Sequence, residues 1–152
     1  MAKPATVTPM GIWGLVYASW AIYLSAWDIQ QRRLPNHATL PAAVVVGVWR
    51  AVQDPAYLLP GIAWFALYAI LAMLMPGGVG GGDLKLAPTL GWILGPLGFQ
   101  TVLLAIVVAS LLSLLLGIAY RCSGQRGSAG IPHGPGMLLG AALAYGFSAH
   151  GF

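Results

Sequence analysis

The stretch Gly77-Gly78-Val79-Gly80-Gly81-Gly82-Asp83-Leu84-Lys85 separates two apolar segments near the middle of the chain. Five of its first six residues are glycine, so its backbone can adopt positive φ and lie close to another chain. It ends in a carboxylate, Asp83, beside a further apolar run. An ionisable group at a membrane boundary is costly to keep and is by default a functional candidate.

The composition of the whole chain is that of an integral membrane protein. Of its 152 residues, 59% are hydrophobic and 7% are charged, whereas about one quarter of the residues of a soluble domain are charged. The formal charge is +4, but the basic residues occur singly or in one pair. They form no patch that could neutralise a row of phosphates. We therefore predict no nucleic-acid binding and expect the lipid bilayer to surround the protein.

Acidic and sulfur-containing side chains are scarce. Cys122 is the single cysteine, which excludes a disulfide or a paired cysteine site within this chain. The sequence contains no glutamate, and its acids are Asp28, Asp54 and Asp83. Any carboxylate chemistry must use these three residues.

Apolar segments separated by polar loops predict an all-α integral membrane fold with six transmembrane helices in one domain, residues 1–152. Pro76 and the glycine run end the third segment, and Pro88 lies near the start of the fourth, where it could kink the helix or mark its first turn. The short second and fourth segments predict local thinning of the bilayer. The predicted helices cover residues 11–27, 38–52, 57–75, 84–94, 97–120 and 134–151.

Basic residues predict the orientation of these helices. Lys3 and Arg50 fall on one side of the membrane, and five basic residues fall on the other. The more basic side is cytoplasmic by the positive-inside rule, which places both termini outside the cytoplasm. The protein is thus expected in the cytoplasmic (inner) membrane as a multi-pass protein. The five residues on the cytoplasmic side are Arg32, Arg33, Lys85, Arg121 and Arg126.

The same topology brings two of the three acids to one edge. Asp28 follows the first predicted helix and Asp83 precedes the fourth, so both lie at the cytoplasmic edge. Asp54 lies at the opposite edge, where its i to i+4 spacing from Arg50 predicts an exposed ion pair. Two acids at one depth, in a chain with few acids, indicate a functional pair.

Two neighbouring carboxyl groups have the chemistry needed to hydrolyse a peptide bond. They do not ionise together easily, so they share a proton and titrate as a pair. The ionised member can take a proton from the attacking water, while the protonated member polarises the scissile carbonyl and assists the leaving amine. This route requires neither a metal nor a covalent intermediate. The sequence leaves open which aspartate is the base.

Three motifs resemble those of the type IV prepilin peptidases, which are membrane aspartic peptidases of the wider GxGD type. Residues Gly80 to Lys85 are similar to the GxGDxK motif. Residues Asp28 to Asn36 resemble the first-aspartate motif, where the acid precedes an Ile-Pro-Asn-like triplet, here Leu-Pro-Asn. The segment Ile131-Pro132-His133-Gly134-Pro135 resembles a late Pro-aromatic-Gly-Pro loop, with histidine replacing the usual aromatic residue. The resemblance extends from the first predicted helix to the sixth.

This resemblance implies an activity and a set of site residues. Family members remove a short basic leader from pilin-like precursors at the cytoplasmic face, usually after a glycine that precedes an apolar helix. Asp28 and Asp83 correspond to the catalytic pair. Larger members carry a domain with paired cysteines and methylate the new N-terminus. Since this chain has a single cysteine, the resemblance does not imply methyl transfer. The chain resembles in size the short prepilin peptidases of tight-adherence pilus systems and the archaeal preflagellin peptidases.

The substrate-binding residues predicted from the motif are Gly80, Gly81, Gly82 and Lys85. The glycines would let a substrate backbone approach without obstruction by side chains. Lys85 has a second interpretation, as an anchor to the lipid headgroups on the cytoplasmic side. Asn36 is expected to cap the second helix.

Other classes of function stay open from the sequence. A small proton-coupled transporter or channel could use a glycine-broken helix and an acid, although such sites lie near the midplane of the bilayer. An inactive scaffold for pilus assembly is a further alternative. His37 and His133 fall on the same side as both aspartates, but they lack the HExxH spacing of a metal site. We therefore predict no metal and no cofactor.

Overall fold

The computed structural model describes residues 9–122 and 132–149, which form six α-helices and contain no strand. The predicted all-α fold is thus confirmed for this part of the chain. Two short 3-10 turns, Pro55–Leu58 and Gly95–Leu97, precede the third helix and follow the fourth. The helices are α1 (Pro9–Gln31), α2 (Asn36–Gln53), α3 (Leu59–Leu74), α4 (Gly81–Leu94), α5 (Phe99–Cys122) and α6 (Gly134–Ala149).

The helix ends nearest the acids differ from the predicted ends. α1 continues to Gln31, so Asp28 lies in its last turn and not in a loop. Arg32 then ends the helix in the left-handed conformation (φ 54°), and its N–H donates to the carbonyl of Asp28 at 2.8 Å. α4 begins at Gly81, so Asp83 is its third residue.

One prediction about a residue near a helix end is wrong, and one of the two alternatives for a second residue is excluded. Asn36 is the first residue of α2 and not its cap, because Pro35 takes the extended cap conformation and its carbonyl accepts the first amides. Pro88 lies inside α4 and does not mark its first turn. The predicted sixth helix extended to residue 151, and residues 150–152 lie outside the described part, as do Lys3, Arg126 and Ile131.

The predicted ion pair between Arg50 and Asp54 is not formed. Nε and Nη2 of Arg50 donate instead to the carbonyls of Trp92 and Ile93 at 3.1 and 3.2 Å. These carbonyls belong to the last turn of α4, where helical partners are lacking. Asp54 accepts from the amide of Ala56 at 2.9 Å and so caps the first 3-10 turn.

The outer surface of the bundle is apolar. Two segments, Pro55–Leu74 and Phe99–Cys122, are long and apolar enough to cross a membrane. Large apolar side chains are also exposed on α1, α2 and α6, and Val52 on α2 and Met73 on α3 are each 81% exposed. Contiguous exposed apolar surface of this extent marks contact with an apolar environment. The surface therefore matches a bilayer and not bulk water.

α4 is the centre of the bundle. Among the described residues, it is the one helix without an exposed large apolar side chain, and its apolar residues Leu86, Leu90 and Leu94 are fully buried. Its backbone touches that of α3, because a Cβ added at Gly91 would overlap with Cα of Gly61. Such close approach through small residues is the usual way in which membrane helices pack. The packing fixes the position of the turn that carries Asp83.

Candidate active site

A cavity of about 1310 Å³ lies where the end of α1, the starts of α2 and α4, the second half of α5 and the segment before α6 meet. Asp28 and Asp83 both line it, and their side chains are only 5% and 7% exposed. The carboxyl groups are close enough for the charge of Asp28 to act on Asp83. The structure thus brings together the two acids singled out in the sequence, which are 55 positions apart.

Asp28 is held by the start of α6. Its Oδ2 accepts a buried hydrogen bond of 3.0 Å from the amide of Gly134, the first residue of that helix. The first amides of a helix have no helical partner, and the N-terminal end carries partial positive charge. A Cβ at Gly134 would lie 2.9 Å from Oδ2 of Asp28, so this contact requires glycine.

Asp83 is held within its own helix. Its Oδ2 accepts from the amide of Gly80 at 3.3 Å, which is one half of a capping box, because Gly80 has no side chain to supply the other half. The side chain therefore turns back over the start of α4. This bond is longer than the one between Asp28 and Gly134, and it comes from the same segment of chain.

The three motif glycines occupy different surroundings. A Cβ at Gly81 would meet no atom within 4 Å, whereas a Cβ at Gly82 would lie 3.1 Å from Cβ of Leu34. Gly82 thus lets the first turn of α4 pack against the turn that follows α1. Gly80 is extended, and Gly77 (φ 85°) is the glycine of this run that uses positive φ.

Lys85 lies on the wall of the same cavity, and its ammonium group contacts another motif. Nζ donates to Oδ1 of Asn36 at 2.9 Å in an exposed hydrogen bond. Three further cationic side chains line this cavity, so the mouth is rich in positive charge. These residues are Arg32, Arg33 and Arg121.

One contact at the cavity was not predicted from the sequence. Ser113, buried on α5, forms a hydrogen bond with Nδ1 of His133, the residue that precedes α6. Burial lowers the pKa of the His133 imidazole, and the charge of Asp28 offsets part of that effect. The only sequence signal was a hydroxyl in a helix of Leu, Val and Ile, and such a hydroxyl usually bonds to its own helix.

The histidines and acids do not assemble into a metal site in the described part of the chain, where no group of three or more His, Cys, Asp or Glu has metal-binding geometry. His37 lies at the cavity wall, but its Nε2 bonds with Oη of Tyr23 at 2.8 Å. The chemical groups available in the cavity are therefore two carboxyls, the imidazole of His133 and the surrounding cations. These groups suit general acid and base catalysis with water.

Comparison with known proteins gives a family match and a relative. The model of the type IV leader peptidase family matches residues 15–118, a range that includes both aspartates. The chain is 29% identical over 136 residues to the prepilin leader peptidase/N-methyltransferase of Bacillus subtilis (strain 168). That match covers 86% of this chain and 54% of the relative, so the chain spans about half the relative's length.

No solved structure matches this chain significantly. The family match nevertheless extends over more than half of the chain and includes both buried acids. The resemblance inferred from the three motifs is thereby confirmed, and the chain belongs to the type IV leader peptidase family.

Proposed function

We propose that the protein is a prepilin leader peptidase, an aspartic endopeptidase that hydrolyses the leader peptide bond of type IV pilin-like precursors with Asp28 and Asp83. The observation that carries the proposal is the presence of both buried carboxyl groups in one cavity, within the range that matches the family. Asp54, the third acid, is exposed at a 3-10 turn and has a structural role as a cap.

The hydrogen bonds support a division of roles. Asp28 accepts the shorter bond, from the amide of Gly134, and this contact favours its ionised form. We assign Asp28 as the base that takes a proton from the attacking water. Asp83 then carries the shared proton, polarises the scissile carbonyl and passes the proton to the leaving amine.

The site is proposed to face the cytoplasm in a chain whose six helices all cross the inner membrane, with both termini on the other side. Support comes from the apolar outer surface of the bundle and from the four cationic side chains at the cavity, which the positive-inside rule places in the cytoplasm. The leader of the precursor would then enter the cavity from the cytoplasm. Its apolar helix would remain in the bilayer.

The substrate backbone is proposed to pass beside the first turn of α4. Gly81 borders open space there, so a peptide could approach the helix backbone next to Asp83. Gly80 and Gly82 would shape this approach by holding Asp83 and by letting α4 pack closely. Lys85 would contribute charge at the cavity wall.

The proposal is limited to peptide hydrolysis. The relative from Bacillus subtilis is named for N-methyl transfer as well. Methyl transfer is not assigned to this chain.

The transporter or channel considered above has less support. Its acid would lie near the bilayer midplane, whereas Asp28 and Asp83 occupy the last turn of α1 and the first turn of α4. The family match also favours a peptidase. A pilus-assembly scaffold without activity would retain the fold but would need neither carboxyl group.

Cleavage of a prepilin by the purified protein in detergent tests the function. We expect Asp28→Asn and Asp83→Asn each to lower the rate by at least about 10²–10⁴-fold, the usual contribution of a general acid or base. Asp54→Asn is the matched control, because it removes an acid of the same type away from the cavity, and it should cleave at the wild-type rate. Undiminished cleavage by either cavity variant would exclude the aspartic mechanism.

A further inference from the structure

The segment that presents Gly134 to Asp28 is fixed by a contact outside the acid pair. His133 precedes α6, and its carbonyl accepts from the amide of Met137 at 3.1 Å, which starts the helix. Its imidazole Nδ1 is hydrogen-bonded to Oγ of Ser113 on α5. The backbone of His133 therefore begins α6 while its side chain ties that beginning to α5.

The fold makes room for this contact. A Cβ at Gly136 would overlap with Oγ of Ser113, so only glycine lets α6 approach the serine so closely. One turn further along, Gly140 allows the same approach, because a Cβ there would lie 2.7 Å from the amide nitrogen of Ala109. Ser113 is 4% exposed and lies with His133 on the cavity wall, so little of its side chain contacts water.

The position of His133 determines that of the next residue, Gly134, which contacts Asp28. Gly134 follows His133 in the chain, and its amide donates to Asp28. Any rotation of the start of α6 would move this amide away from the carboxylate. The charge of Asp28 also acts on the imidazole, so the two side chains share one electrostatic environment.

Resting on the function proposed above, we infer that His133 and Ser113 are positioning residues, which hold the start of α6 so that the amide of Gly134 orients Asp28 as the base. Neither residue needs to touch the substrate in this role. The contact atom that matters is Nδ1 of His133, and Nε2 is not required.

Replacements that mimic one ring nitrogen at a time test this assignment. The amide of Asn occupies the place of Nδ1, and the longer Gln reaches the place of Nε2. We expect His133→Phe and Ser113→Ala each to lower kcat for prepilin cleavage about 10-fold with KM little changed, and the double variant to be no slower, since the residues act as a unit. His133→Asn should restore most of the rate, and His133→Gln should not.

Stability and a matched serine separate positioning from general damage. Ser19→Ala removes another helical hydroxyl, which bonds to the carbonyl of Leu15 on α1, and it should leave kcat unchanged. Thermal unfolding in detergent should show His133→Asn and His133→Phe to be equally folded. Rescue by Gln in place of Asn, or additive losses in the double variant, would overturn the assignment.

The arrangement of serine, histidine and aspartate also suggests a rival, in which Ser113 is a nucleophile. Labelling of the wild-type protein with a fluorophosphonate, together with complete loss of cleavage in Ser113→Ala, would support that rival and exclude the positioning role. The ¹⁵N signals of the His133 ring give a readout independent of activity. They should shift in both Ser113→Ala and Asp28→Asn, even if prepilin proves not to be the substrate, and unchanged signals would contradict the proposed contacts.

Discussion

Nζ of Lys85 donates a hydrogen bond of 2.9 Å to Oδ1 of Asn36, and this bond joins α4, near its start, to the first residue of α2. The two residues come from the two aspartate motifs and are separated by 49 positions. Lys85 lies two positions after Asp83, and Asn36 lies eight positions after Asp28. The bond therefore ties the helix that carries Asp83 to the start of the helix that follows Asp28 in the chain.

Loss of this bond should affect catalysis less than loss of either acid. We expect Asn36→Ala and Lys85→Met each to lower kcat/KM by less than about 10-fold, since exposed polar pairs contribute about 0.2–1 kcal/mol. The double variant should be little worse than either single variant. If Lys85→Met is severe while Asn36→Ala is neutral, the lysine acts on the substrate and not through Asn36.

Gly81 and Gly82 are adjacent but should respond differently to an added methyl group. Gly82→Ala places its Cβ 3.1 Å from Cβ of Leu34, so α4 must shift, and we expect a loss of about 1–3 kcal/mol in the free energy of unfolding. Gly81→Ala meets no neighbour, and its unfolding free energy should change by less than about 0.5 kcal/mol.

Gly81→Ala and Gly82→Ala should also change different kinetic parameters. Gly82→Ala should reduce kcat, because Asp83 is the next residue. Gly81→Ala should raise KM for the prepilin while the protein stays as stable as wild type. An unchanged KM in Gly81→Ala would show that the substrate does not pass over this turn.

Arg50 should stabilise the fold through its hydrogen bonds as well as through its charge. Its guanidinium donates to the carbonyls of Trp92 and Ile93. The Cζ atom of Arg50 also lies 4.4 Å from the centre of the Trp49 ring. We expect Arg50→Met to lower the unfolding free energy by about 1–3 kcal/mol, because two carbonyls of α4 lose their partner. The unfolding free energy of Arg50→Lys should lie between those of the wild type and Arg50→Met. An ammonium group keeps the charge but lacks the planar guanidinium that can donate to two carbonyls at once.

Unfolding by increasing concentrations of dodecyl sulfate measures these differences, and Asp54→Asn supplies the control. This control removes the charge of the expected partner while keeping an oxygen for the cap at Ala56. Its unfolding free energy should change by less than about 0.5 kcal/mol. Equal losses in Arg50→Met and Asp54→Asn would restore the ion pair as the source of stability.

Local sequence patterns account for much of this fold. Apolar runs and glycine or proline breaks predict the six helices, and counting sides places Asp28 and Asp83 at one edge. The patterns do not predict where α1 ends or where α4 begins, because those boundaries depend on distant partners. Asp28 belongs to the helix whose last turn meets Gly134, and the start of α4 docks against Leu34.

Side-chain partners were harder to predict for the same reason. The spacing of Arg50 and Asp54 is a local signal, but the carbonyls that Arg50 binds lie 42 and 43 positions away. Ser113 gave no local signal that would separate it from a hydroxyl bonded to its own helix. Its partner His133 was visible only as a departure from an aromatic motif position.

The activity should depend on the thickness of the bilayer. α4 has 14 residues and the described part of α6 has 16, which correspond to about 21 and 24 Å, whereas a typical hydrocarbon core is about 30 Å thick. α2, expected to be short, has 18 residues and adds less to the mismatch. α4 is enclosed, whereas α6 exposes Leu139 and Leu143 on the apolar outer surface of the bundle.

Reconstitution into vesicles of short-chain (dimyristoyl) and long-chain (dierucoyl) phosphatidylcholine measures the effect. A mismatch costs fractions of a kcal/mol per Å, so we expect kcat/KM for a full-length prepilin to be about 10-fold higher in the thinner bilayer. A soluble peptide that contains only the leader and the cleavage site should show no such difference, because it need not emerge from the bilayer to reach Asp28 and Asp83. Equal rates for the prepilin in both lipids would mean that the scissile bond reaches the cavity without thinning of the membrane.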